Sequence, residues 1–138
     1  MSDPLPVVAR LRNLAVDEAR RALAECITAE ARAAEAVRLL GAAIVAETDA
    51  AGDPSGDDQS VEDFAAWLRR IGVERRAAAT ALESAEMRSI EARTALIACR
   101  TAARAMDEML LRRDADRRTA TERKAQTLLE EAARHGRD

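Results

Sequence analysis

Stepped by three and four from residue 61, the chain presents Val61, Phe64, Leu68, Ile71, Arg75, Ala78, Leu82, Ala85, Ser89, Ala92, Leu96, Cys99, Ala103, Met106 and Leu110. Thirteen of these fifteen positions are apolar, so the stripe reads as one sustained heptad seam that keeps a single helix face toward a single partner helix. The same stepping then gives Arg113, Arg117, Ala120, Lys124 and Thr127, and the seam stops at Leu110. An earlier stripe, Val8, Leu11, Ala15, Ala22, Cys26, Ala29, Ala33, Val37, Leu40 and Ile44, is widened by Leu14, Leu23 and Ile27. Between them TDAAGDPSGDDQS, residues 48–60, holds Gly52, Pro54 and Gly56 and breaks the pattern. Ser60 reads as the N-cap of the second helix, with Glu62 and Asp63 suiting its positive end. Pro6 is tolerated in a first helical turn. The pattern predicts an all-α chain: helix 1 over about 7–50, a loop over about 51–60, and helix 2 over about 61–134.

A turn centred near residue 55 folds such a chain into an antiparallel two-helix coiled-coil hairpin, one elongated domain over residues 1–138. Facing residue numbers then sum to about 110, which sets residue 8 opposite residue 102 and Cys26 opposite residue 84. At 1.5 Å per residue the second helix is roughly 110 Å long and the first about 65 Å. Residues 111–138 are therefore expected to project beyond helix 1 as an overhang with nothing to bury. Gly41 and Gly72 fall inside the expected helices, marking either tolerated drift or a close helix approach.

Composition agrees with long helices rather than a wide core. There are 33 Ala, one Phe, one Trp and no Tyr, so side chains able to fill a broad interior are scarce. A formal net charge of −3 argues against general nucleic-acid affinity, which needs a basic excess, and the cationic residues are 21 Arg with Lys124 as the one Lys. The start of the chain lacks a signal-peptide pattern and no apolar run approaches membrane-spanning length, so a cytoplasmic chain is expected. Cys26 and Cys99 are too few for a disulfide framework or a zinc site and read as small seam residues. The one His is His135, close to the end, and no phosphate-cradling glycine loop precedes Lys124. Neither catalytic residues nor a metal, cofactor or small-molecule substrate are expected, and the abundant carboxylates read as solvated helix faces.

Two segments could bind a partner. VEDFAAWLRRIG, residues 61–72, carries both aromatic residues; Phe64, Leu68 and Ile71 fall on the seam, whereas Trp67 lies one position off it and Arg75 continues the patch. The overhang alternates aspartate and arginine in RRDADRR, a pattern of a solvated helix more than a phosphate track, and then exposes Leu128 and Leu129 without a partner.

Four stretches in order, LRNLAVDEARRALAE at 11–25, FAAWLRRIG at 64–72, RAMDEMLLRR at 104–113 and AQTLLEEAA at 125–133, resemble the FliJ family of bacterial flagellar export proteins and the related YscO-type secretion proteins. Members of that family are rich in Lys where this chain has Arg, and Thr127 stands where a Lys is frequent. The resemblance implies an antiparallel hairpin, similar in shape to the stalk of rotary ATP synthases, whose paired termini enter a hexameric export ATPase. It also implies contact with the cytoplasmic domain of the membrane export gate and escort of export chaperones, at the inner-membrane export apparatus. Carried onto this sequence, the gate-facing residues are Phe64, Leu68, Ile71 and Arg75, with Trp67 added for its place off the seam. The ATPase-facing residues are Arg113, Arg117, Gln126, Leu129, Glu130 and Glu131. Two other readings stand beside it: a structural coiled coil that self-associates through its tail, and an amphipathic module that meets a membrane surface or nucleic acid through its arginines.

Overall fold

The computed structural model describes residues 2–52 and 56–137. Helix α1 spans Leu5–Ala51 and helix α2 spans Asp58–His135, 47 and 78 residues long, and no strand occurs among the described residues. The two long helices pack against each other. Pro54 of the expected loop lies outside the described residues.

Both helices start earlier than the pattern predicts, because an aspartate caps each. The Leu5 amide donates to Asp3 Oδ1 at 3.1 Å and the Val8 amide to the Pro4 carbonyl at 3.0 Å, so Pro4 and Pro6 both occupy a first turn, where their missing N–H costs nothing. At α2 the expected N-cap, Ser60, is displaced. Asp57 Oδ1 accepts from the Ser60 amide at 2.9 Å and from its hydroxyl at 2.6 Å, leaving Ser60 inside the first turn. An ionised carboxylate is the stronger acceptor for orphan amides, and Asp57 reaches them first. These bonds hold the Asp57 carboxyl below its ordinary pKa, chiefly through the Ser60 hydroxyl.

Contacts divide the chain into two units. In the unit of residues 2–18 and 97–137, the covered side chains are Ala9, Val16 and Ala103, with Leu5, Val8, Cys99, Met106 and Leu110 half-buried. Burying Val16 contributes about 1.5–2 kcal/mol, and the alanines bring the backbones close at smaller gain. In the unit of residues 19–52 and 56–96, Ala85, Ser89 and Leu96 are buried. Half-buried residues of α1 there recur at alternate steps of three and four: Ala19, Leu23, Cys26, Glu30, Ala33, Val37, Leu40 and Ile44.

The α2 seam is where the pattern places it: from Ala78 to Leu110 each expected position is buried or half-buried. The α1 seam is met in part: Val8, Ala15, Leu23, Cys26, Ala33, Val37, Leu40 and Ile44 are half-buried where the pattern places them, whereas Leu11, Leu14 and Ile27 are 59%, 53% and 46% exposed, Ala22 and Ala29 are also exposed, and Ala9 and Val16 are buried instead. In the first unit Asp3 and Arg113 bond although their numbers sum to 116 rather than about 110. Long helical side chains lean toward the helix N-terminus, so Arg113 touches a point roughly one turn before its own Cα.

At Gly41 and Gly72 an added methyl group meets no packing neighbour within 4 Å, so the expected alternative of a close helix approach finds no steric demand there. Gly41→Ala and Gly72→Ala are each expected to stabilise the chain by about 1 kcal/mol, raising the melting midpoint by roughly 3 °C in thermal circular dichroism.

Candidate functional site

The first candidate surface is built at the start of α2. Phe64 and Trp67, one turn apart, stack with ring centroids 5.9 Å apart and planes inclined by 19°. Both are half-buried, as is Ile71. Leu68, expected on the seam, is instead 38% exposed, and Arg75 is exposed. Trp67 and Leu68 have thus exchanged the roles expected of them: the larger ring takes the covered side, and Leu68 and Arg75 share the outward face at seven-residue spacing. The stack forms part of an open groove of about 450 Å³, lined also by Glu47, Ala50 and Ala51 from α1 and by Ser60 and Asp63 from α2. Asp63 Oδ1 accepts from the Gln59 side-chain Nε2 at 3.1 Å. Residues 39–68, which include every residue lining this groove, contain seven Asp or Glu and no Lys or Arg.

The second candidate surface lies in the other unit. Arg113 donates two hydrogen bonds to Asp3, one to Oδ1 at 2.8 Å and a shorter one to Oδ2, while Arg117 lies 3.6 Å from Oδ2. Asp3 and Arg113 are each about one-third exposed and Arg117 is 63% exposed. Of the six residues expected to face an ATPase, Arg113 is therefore committed within the chain, and the more exposed Arg117 also pairs with Asp3. Asp3 was not anticipated from the pattern; its signal was the Asp-Pro pair that opens α1. Past Arg113, every described residue to Arg137 is exposed, with Leu128 and Leu129 at 65% and 71%. The face shared by Gln126, Leu129 and Glu130 is held by a Gln126 to Glu130 hydrogen bond of 3.3 Å. Glu131 stands on the adjoining face, where it lines a shallow groove with Arg123, Lys124, Thr127 and Leu128.

The Asp3 carboxyl sits below its ordinary pKa, first because the Arg113 guanidinium donates to it, then through the Leu5 amide and the two arginine charges, against a partial burial that raises it. Arg113 is raised in turn, chiefly by Asp3. A carboxyl depressed on folding stabilises the fold above its unfolded-state pKa and loses that contribution as pH falls through the folded value. Asp3→Asn is accordingly expected to melt below the unaltered chain at neutral pH, and the difference is expected to shrink as pH falls below the ordinary aspartate range and through the lowered folded value, read by thermal melts across the acid range.

Among the described residues no group of three or more His, Cys, Asp or Glu is placed to hold a metal ion, and no helix is long and apolar enough to cross a membrane. Cys26 and Cys99 are free thiols, each half-buried. No family model, no curated protein and no solved structure matches the chain.

Proposed function

We propose that this chain is a non-catalytic coupling protein of a flagellar or related type III export apparatus. In this reading it is an antiparallel helical hairpin whose longer helix enters the hexameric export ATPase while its opposite end meets the cytoplasmic domain of the export gate. The observation that carries the reading is the run of exposed α2 beyond Arg113, which keeps helical form while covering no apolar side chain of its own chain. In proteins most helical stability comes from tertiary packing, which this run lacks within its own chain, so a spike of this kind fits a function in which another molecule surrounds it. Leu129, Glu130, Glu131, Gln126 and Arg117 would contact the ATPase, with Arg113 held at the base by Asp3. Alternating charges suit a central axis, since they offer comparable contacts to each of six subunits. Phe64, Trp67, Leu68, Ile71 and Arg75 would form the gate-facing patch, and export chaperones are further partners. The chain would work in the cytoplasm, peripherally associated with the inner membrane. The test is copurification with the hexameric export ATPase together with its hydrolysis rate: a bound chain that raises the rate supports the reading, and a chain that neither binds nor stimulates removes it.

A second reading, a self-associating structural coiled coil, is favoured by one specific observation. Val73, Met87 and Ile90 are 59%, 52% and 52% exposed along α2, away from its seam, and the hydroxyls of Thr80 and Thr94 on the same stripe turn back to carbonyls four residues earlier. Sedimentation separates the two readings, because the coupling protein acts as one copy per ring and the structural one as a stable oligomer.

A further inference from the structure

The groove at the start of α2 combines two features that a purely apolar docking patch does not need. One is an aromatic stack with an accessible side, Phe64 on Trp67. The other is a pair of exposed carboxylates, Glu47 from α1 and Asp63 from α2, lining the same space. Ala50 and Ala51 leave room between them, and the volume of about 450 Å³ exceeds what a methyl or isopropyl group would fill. An aromatic face attracts a planar cation through its quadrupole, and a carboxylate beside it can accept from that cation in a forked geometry. Arginine meets both demands with one side chain; lysine offers a point charge and no plane.

The surrounding charge points the same way. The thirty residues from Leu39 to Leu68 carry seven acids with no compensating Lys or Arg, in a chain whose net charge is only −3. Such a block repels phosphates, whether of nucleic acid or of anionic lipid, and draws in cationic segments. We propose that this groove captures an arginine side chain presented by a basic segment of a protein partner, the guanidinium lying against Trp67 and Phe64 with Glu47 and Asp63 as its acceptors. The proposal rests on the docking reading of this surface and gives it a chemical specificity.

Trp67 is the one tryptophan in the chain, so its emission reports from the groove itself. The probes are capped hexapeptides alternating Gly with Arg, Lys or Glu, titrated into the full chain at low salt. The arginine peptide is expected to change Trp67 emission saturably, the lysine peptide more weakly, and the glutamate peptide not at all. Raising salt from about 50 mM to about 300 mM is expected to weaken the response several-fold, as for any partly screened charge contact. The Glu47→Gln, Asp63→Asn double variant, altered only at exposed side chains, is expected to keep its helicity and lose about tenfold in affinity. No saturable change with the arginine peptide, an equal response to lysine, or an undiminished response in the double variant would each overturn the proposal.

A second arm uses the cytoplasmic domain of the export gate as the titrant. If that domain binds, Trp67→Ala weakens it and the double variant does not, the arginine assignment falls while the docking reading stands. If the arginine peptide binds as expected and the gate domain does not, the groove keeps its specificity and the gate loses its place as partner.

Discussion

Removing residues 118–138 is expected to leave the folded helices intact while, on the proposed coupling role, reducing stimulation of an export ATPase to the rate of the ATPase alone. The deleted residues within the described range are all exposed, and the cut leaves untouched the Arg113 bonds to Asp3 and the Arg117 charge beside them. Exposed residues with no packing partner lie at the low-stability end of the structure and open without the rest, so the melting midpoint of the packed helices should move little. Helical signal should fall in proportion to the residues removed. The rate is a different matter, since Gln126, Leu129, Glu130 and Glu131 leave together. Leu129→Asp within the full chain separates loss of a contact from loss of length. It should leave the melt unchanged, because Leu129 is 71% exposed, yet weaken ATPase binding. A truncated chain that unfolds at low temperature would mean that these residues support the fold; one that still stimulates would move the ATPase contact elsewhere.

How much of this was legible in the residues depended on side-chain size. The seam of α2 could be followed because Leu82, Leu96, Met106 and Leu110 mark its phase with bulk, and alanines between them have one consistent place to fall. In α1 the phase is poorly marked: alanine makes up fifteen of its 47 residues and occurs on every face, so it carries no information about direction. The bulkiest early residues, Leu11 and Leu14, attracted the predicted stripe, although Ala9 and Val16 are the ones covered. Small side chains there allow close packing, and the larger leucines stand outside it.

The candidate surfaces were legible as segments but not as geometry. That Phe64 and Trp67 are the two aromatic residues, three positions apart, could be read directly; that they stack, and that Glu47 and Asp63 line the same groove, required both helices to be placed. Strict stepping by three and four put Leu68 on the seam, but near the start of α2 the covered positions are Phe64, Trp67 and Ile71, a drift of one residue. Asp3 was missed for a related reason. Two prolines close together drew the helix start to Pro6, whereas the carboxylate that caps α1 and binds Arg113 lies three residues earlier.

Leu96→Asp is expected to have the largest effect on stability of any single change. Leu96 is 6% exposed and is the largest of the buried side chains, the others being Ala9, Val16, Ala85, Ser89 and Ala103, so few other side chains can compensate for it. The substitution removes a buried isobutyl group and places a carboxylate where water cannot solvate it, at a combined cost of roughly 3–5 kcal/mol. A fold of this size commonly holds about 5–15 kcal/mol in total, and one whose fully buried side chains are mostly small has little surplus. Neither helix can make up the loss alone, because helix propensity without packing is marginal in water. Thermal circular dichroism should therefore show the midpoint fall by about 10 °C or more, on the order expected for that cost. Leu96→Met, which preserves volume, should cost less than about 1.5 kcal/mol. If Leu96→Asp melts with the unaltered chain, packing of α2 on α1 at this level is not what holds the two helices together.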